Sequence, residues 1–202
     1  MPGLKHERSV VAPVAGVDEA GRGPLAGPVV AAAVILPAKG IPRGLNDSKQ
    51  VPAAERERLC KRLQDCAVVG VGIVEADEID TLNIYWATMK AMTLAVDQLA
   101  ATLGCAPGHV LVDGNRLPRW SYAATAIVGG DALSLSIAAA SIVAKHTRDT
   151  IMLAHHDSYP HYGWASNKGY GCAFHRRALV EHGPSPLHRR SFAPVAQTVL
   201  PL

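Results

Sequence analysis

The chain has 202 residues, 49% of them hydrophobic and 18% charged, which excludes a disordered or fibrous protein and suffices for one main core without disulfide staples. Its cysteines, Cys60, Cys66, Cys105 and Cys172, are too scattered for a zinc site and fit a reducing compartment. The net charge is only +3, but between Lys145 and Arg190 seven Lys and Arg stand against three Asp and Glu, leaving −1 for the rest of the chain.

Seven of the nine histidines also fall in that basic quarter, which nominates a polyanion-facing surface, although a solvated basic face explains the charge equally well. Residues 1–10 lack the apolar segment of a secretory signal, and the longest apolar candidate, residues 132–144, is interrupted by three serines. These features point to a cytoplasmic protein with no membrane association, expected as a monomer because no long exposed apolar stripe is evident.

In chain order, residues 10–17 form an apolar stretch that predicts a first strand, followed by Asp18-Glu19-Ala20-Gly21-Arg22-Gly23. Neighbouring strand residues point to opposite faces, so the acidic pair is expected at the strand's end, where both carboxylates can turn toward one reaction centre. The glycines let the backbone approach a ligand. Residues 29–36 predict a buried strand paired with the first, and residues 38–52 a loop. A helix is expected from Ala53 to Gln64 with Pro52 opening it, then a third strand over residues 68–74. Glu75, Asp77, Glu78 and Asp80 precede one long amphipathic helix to about residue 101. Strands over 109–112 and 122–128 end in Asp113-Gly114 and Gly130-Asp131, and a helix follows over 132–155, where Ala138, Ala139 and Ala140 allow close packing on the sheet. The rest is loop and short helix. The expected class is α/β: a mixed five-stranded sheet flanked by helices, with residues 1–155 as the core and 156–202 as a small C-terminal helical and loop extension.

Asp18, Glu19, Asp113 and Asp131 thus share a placement at or beside predicted strand ends. Singly, Asp113 fits a hairpin turn and Asp131 a helix N-cap; together they fit one cluster at a sheet edge. Clustered carboxylates repel one another unless cations intervene, and an all-oxygen donor set favours two Mg²⁺ or Mn²⁺ ions, hence phosphodiester hydrolysis. Ser141, Lys145 and Arg148 follow at i, i+4 and i+7 on one helix face, able to hold successive phosphates or simply to close a surface helix.

The sequence resembles the ribonuclease HII family (type 2 ribonuclease H). The matching segments are residues 17–29, Leu45-Asn46-Asp47-Ser48-Lys49, Val112-Asp113-Gly114, Gly130-Asp131, residues 138–145, Arg148-Asp149, Lys168-Gly169-Tyr170-Gly171 and His188-Arg189-Arg190-Ser191-Phe192. The resemblance implies an RNase H-like fold and endonucleolytic cleavage of the RNA strand of RNA–DNA hybrids. It further implies nicking 5′ of single ribonucleotides in duplex DNA, leaving 3′-hydroxyl and 5′-phosphate ends. It assigns Asp18, Glu19, Asp113 and Asp131 to metal binding and catalysis, Gly21, Arg22 and Gly23 to sensing the 2′-hydroxyl, and Tyr170 to stacking on the next sugar. Lys49, Ser141, Lys145 and Arg148 are expected substrate contacts.

Cys172 departs from the family pattern, where Thr is expected. His175 and His188 are expected to pack or hydrogen-bond, while Arg176-Arg177 and Arg189-Arg190 fit phosphate contacts and a solvated surface equally. A type 3 enzyme is disfavoured by Arg22 and the early start of the core. A branched-DNA nuclease of the same superfamily would not need the 2′-hydroxyl sensor, and a non-catalytic module would not need all four carboxylates. The apolar tail, residues 193–202, has no specific motif for a partner such as a sliding clamp.

Overall fold

The computed structural model describes residues 1–198; residues 199–202, the end of the apolar tail, lie outside the described residues. Five Val- and Ala-rich segments form strands β1 (Val14–Ala20), β2 (Val29–Ile35), β3 (Val68–Val74), β4 (His109–Asp113) and β5 (Ala124–Ile127). They make one sheet in the order β3-β2-β1-β4-β5. β1, β2 and β3 run antiparallel to their neighbours, whereas β4 and β5 add in parallel beyond β1. The parallel β4–β5 pair rules out the hairpin alternative for Asp113-Gly114. The mixed five-stranded sheet flanked by helices is the architecture expected from the sequence.

Strand periodicity decides which side chains face which helices. Ala15, Val17, Ala31, Ala33, Val110 and Val112 join the cluster formed with α3 (Ile84–Leu103) on one face. Ala32 and Val34 pack on the other face against α1 (Ala53–Cys66) and α4 (Leu135–Ser158), where Ala138, Ala139 and Ala140 are fully buried. Leu111 meets Ile137 on that second face. By the same alternation Asp18 and Asp113 belong to the α4 face. Their strands pair in parallel with Val17 opposite Val112, so the two aspartates are next to each other at the sheet's end.

Three boundaries differ from expectation. β1 starts at Val14 and continues to Ala20, so Asp18 and Glu19 sit within the strand, paired with Ala32 and Ala31, rather than beyond its end. The helix expected up to residue 101 is two helices, α2 (Ala76–Leu82) and α3. Asn83 divides them: it takes a positive φ of 64°, which Asn tolerates better than most residues, and its side chain accepts the amide N–H groups of Tyr85 and Trp86. Before α4 the chain makes a 3₁₀ turn, Gly130–Ala132, and Ser134 caps the helix by accepting from Ile137 N–H, so Asp131 is not the N-cap.

Beyond α4 come a 3₁₀ turn (Pro160–Tyr162), α5 (Trp164–Asn167), α6 (Ala173–His182) and α7 (Ala193–Ala196). Trp164, Tyr162, Leu179 and Val195 form with Leu25, Ala26 and Met152 a separate apolar cluster, which fastens this segment to the loop between β1 and β2. Among the described residues no helix is long and apolar enough to cross a membrane.

Candidate active site

A hollow of about 220 Å³ opens at the end of β1 and β4, lined by Asp18, Glu19, Gly21, Arg22, Gly23, Ser48, Lys49, Asp113, Lys145 and Tyr170. Asp18 is only 7% exposed. Its Oδ1 accepts the amide of Glu19 at 2.7 Å, and Oδ1 of Asp113 accepts the amide of Gly130 at 2.7 Å. Glu19 pairs with the Arg22 guanidinium at 3.3 Å. Asp131 stands on the 3₁₀ turn after β5, outside the lining of the hollow but close enough for its charge to act on Asp18 and Lys49.

The electrostatics are those of crowded carboxylates. Burial, then Glu19, Asp113 and Asp131, hold the Asp18 carboxyl well above the usual carboxylate range. Burial also raises Glu19, with Arg22 only partly opposing it, and raises Asp131 with help from Asp113 and Asp47. Burial lowers the Lys49 ammonium, but Asp47, Asp131, Asp18 and Asp113 outweigh it and the group is raised overall. Of the three cations lining the hollow, Lys145 pairs with Asp149, which leaves Arg22 and Lys49 to serve four acidic groups, and the remaining negative charge suits an added hard cation held by oxygen ligands. Among the described residues no three His, Cys, Asp or Glu side chains stand in closed metal-holding geometry. The acidic residues fit a divalent ion by donor chemistry and charge.

Two of the expected phosphate contacts are elsewhere. Ser141 is buried, accepting the Ser48 amide at 3.2 Å and donating to Ala138 O at 2.9 Å, so it anchors the loop that carries Lys49. Arg148 is fully buried and donates to the carbonyls of Pro28, Lys168 and Ala26 at 2.9, 2.9 and 3.0 Å. The i, i+4, i+7 spacing put these residues on one helix face correctly, but that face lies against the core, and only Lys145 emerges at the hollow. Lys145 bonds Asp149 at 2.6 Å, and Asp149 also accepts from Arg56 at 3.2 Å. Arg56 in turn donates to the Ser48 and Val51 carbonyls.

Gly21 has φ +98°, and a Cβ there would lie 2.1 Å from Arg148 Nε, so this position needs glycine for both conformation and space. Tyr170 is 46% exposed at the mouth of the hollow, with Lys145 Nζ 5.9 Å from its ring centre. Arg189 was not legible as a site residue. Instead of facing phosphates it is fully buried, donating to the carbonyls of Gly21 (2.6 Å), Arg22 (3.0 Å), Pro24 (2.9 Å) and Gly27 (3.0 Å). Arg176, Arg177 and Arg190 are exposed.

The family model for ribonuclease HII matches residues 15–195, a span that contains every residue of this hollow. The chain belongs to the ribonuclease HII family. It is 60% identical to ribonuclease HII of Rhizorhabdus wittichii over 92% of this chain and 90% of that one, and 58% identical to that of Erythrobacter litoralis over 93% and 90%. Among solved structures it resembles ribonuclease H2 from Pyrococcus horikoshii, with a TM-score of 0.76 and 28% identity, covering 92% of this chain and 96% of that one. A type 3 enzyme, Bst-RNase HIII in complex with Mn²⁺, shares the fold at TM-score 0.72 and 20% identity, covering 92% of this chain and 68% of that one. Ribonuclease HII is a metal-dependent endoribonuclease that acts on the RNA of RNA–DNA hybrids, and this is the activity of the family to which the chain belongs.

Proposed function

We propose that this member of the family also nicks duplex DNA 5′ of a single embedded ribonucleotide, leaving 3′-hydroxyl and 5′-phosphate ends, and so serves ribonucleotide and RNA-primer removal. The observation that carries this reading is the shared hollow: the carboxylates Asp18, Glu19 and Asp113 open into the same space as the Gly21-Arg22-Gly23 backbone and the Tyr170 ring. A 2′-hydroxyl is the one group that distinguishes a lone ribonucleotide from its DNA neighbours, and a glycine-flanked loop brings backbone donors and acceptors close enough to touch it.

Asp18, Glu19, Asp113 and Asp131 would hold two Mg²⁺ or Mn²⁺ ions. Such ions activate a water on one side of a phosphodiester and stabilise the leaving oxygen on the other. The protein's own part is positional. The Glu19 and Gly130 amides fix the rotamers of Asp18 and Asp113, leaving the second oxygen of each carboxylate free. Gly21, Arg22 and Gly23 face the ribose, Tyr170 stacks on the following sugar, and Lys49 and Lys145 carry the flanking phosphates. Ser141 and Arg148 act one step back, by anchoring the loops that bear Lys49, Gly21 and Tyr170.

The substrate is RNA–DNA hybrid and ribonucleotide-containing duplex, bound by a monomer in the cytoplasm. One solved neighbour of the same fold, from Archaeoglobus fulgidus, is a PCNA:RNase HII complex at 22% identity; a clamp contact by this chain would involve its C-terminal tail, part of which lies outside the described residues. The test is a pair of substrates, one with a single ribonucleotide and one an all-RNA hybrid. Asp113→Asn should fold and lose at least ~100-fold on both, as expected when a group acting at the reacting phosphate is neutralised. Tyr170→Ala should lose more on the single-ribonucleotide duplex. An unchanged ratio for Tyr170→Ala would remove it from junction recognition.

A further inference from the structure

The two halves of the proposed junction sensor, the Gly21–Gly23 loop and Tyr170, come from opposite ends of the chain, and one short segment joins them. Leu25 N–H donates to Gly169 O at 2.8 Å, Gly27 N–H to Leu187 O at 2.8 Å and Arg189 N–H to Leu25 O at 2.9 Å. Ala26 and His188 form a β-bridge. A Cβ on Gly169, which has φ +86°, would lie 2.6 Å from Ala26 O, so the segments are in direct backbone contact.

At this junction His188 and Arg189, adjacent in sequence, point to the two halves. Arg189 takes the Gly21 and Arg22 carbonyls from beneath, together with those of Pro24 and Gly27. Among the described residues no carboxylate bonds to this buried guanidinium; four of its five N–H groups donate to carbonyl oxygens, which fixes the peptide planes of the loop.

His188 leads to Tyr170 through a chain whose proton directions are determined. The Ser185 amide can only donate, so His188 Nδ1 accepts it at 3.0 Å and the ring proton sits on Nε2. His188 Nε2–H then donates to His175 Nε2 at 3.0 Å, which places the His175 proton on Nδ1, where it donates to Tyr170 O at 3.0 Å. Both rings are at most 1% exposed. Trp164 Nε1–H also donates to His175 Nε2, at 3.3 Å.

We propose that Arg189 and the His188–His175 pair are the positioning residues of junction recognition: Arg189 sets the loop carbonyls that face the ribose, and the two imidazoles set the Tyr170 backbone that aims its ring. This inference rests on the function proposed above for Gly21–Gly23 and Tyr170. The site alone gives cleavage of hybrid; these residues give the preference for an isolated ribonucleotide by holding both halves of the sensor in one register.

The experiment compares kcat/KM on a single-ribonucleotide duplex and on an all-RNA hybrid for wild type, Arg189→Lys, His175→Gln and Tyr170→Ala, with thermal denaturation reporting folding. His175→Gln and Arg189→Lys should each lower the single-ribonucleotide to hybrid ratio by about 10-fold, the scale expected when a positioning contact slips by a fraction of an ångström. Added to Tyr170→Ala, His175→Gln should change the ratio no further, because it acts through that ring; a generally weakened fold would lower both substrates together. A folded His175→Gln or Arg189→Lys protein with the wild-type ratio would overturn the inference. If Tyr170→Ala itself keeps that ratio, the underlying function of the ring fails instead. Should one of His175→Gln and Arg189→Lys not fold, the other decides, and should neither fold, His188→Gln decides: it breaks the Nε2–H bond to His175, and a folded His188→Gln protein with the wild-type ratio overturns the inference.

Discussion

Asp18 shows what the site costs the fold. Its carboxyl is raised by burial and by three like charges, so in the folded chain the ionised form is disfavoured. The destabilisation is greatest above the folded pKa and is relieved as pH falls through it toward the unfolded value. Asp18→Asn should therefore abolish cleavage and at the same time stabilise the metal-free protein, since the Glu19 amide keeps an oxygen acceptor. About 1 kcal/mol would appear as a rise of roughly 2–4 °C in Tm for a chain of this size. Added Mg²⁺ should raise the Tm of the wild type and leave that of the variant nearly fixed. A variant less stable than the metal-free wild type would show that charge repulsion is not what strains the site. At this scale the convergence of Asp18, Glu19 and Asp113 on one hollow was legible, because acidic residues at or beside predicted strand ends are unusual enough to notice, even though β1 runs on past the first two. The fates of Ser141, Arg148 and Arg189 were not: a helix-face spacing does not say whether the face is buried, and a pair of arginines looks the same in sequence whether it meets phosphate or carbonyl.

Among the elements, the β1–β2 loop and the C-terminal segments depend on each other. Gly21→Ala should destabilise by about 2 kcal/mol or more and lose activity, because the added Cβ meets Arg148 at 2.1 Å and the residue keeps a positive φ. Chemical denaturation with the activity of the folded fraction would check it. The buried imidazoles add a pH term. Burial lowers both, opposed at His175 by the backbone carbonyls beside it; His188, with His175 and His161 also nearby, falls to about 3 against an unfolded value of about 6.5. Stability from this pair is thus complete above about pH 6.5 and is lost as pH falls toward the folded value, by up to roughly 1.4 kcal/mol per unit and imidazole. The raised carboxylates Asp18, Glu19 and Asp131 act with the opposite sign, so the comparison of wild type with His188→Gln isolates the term. The wild type should lose more Tm between pH 7 and 5 than the variant; equal losses would remove the buried-neutral assignment. Element types were legible from periodicity, and the boundaries less so. Asn83 splits one amphipathic pattern into two helices, and a 3₁₀ turn displaces Asp131 from the helix it was expected to cap, since such breaks are set by side-chain capping and not by the apolar period.

Across the whole molecule, the basic C-terminal quarter divides into buried cations that hold loops and exposed ones available to nucleic acid. Arg148 and Arg189 are in the first class, Arg176, Arg177 and Arg190 in the second. Binding to hybrid should weaken steeply with salt, and Lys145→Glu should raise KM and flatten the salt slope by about one phosphate contact. The same test on Arg148→Lys should leave the slope at its wild-type value, because that guanidinium reaches no solvent. The central claim joins the carboxylates and the glycine loop in one reaction centre. It is tested most directly by incubating a labelled DNA duplex containing one ribonucleotide with the protein in Mg²⁺ or in EDTA and mapping the product on a sequencing gel. A metal-dependent nick immediately 5′ of the ribonucleotide, absent from the all-DNA duplex, is the predicted result; cleavage of a long RNA–DNA hybrid with no nick at the lone ribonucleotide would contradict it.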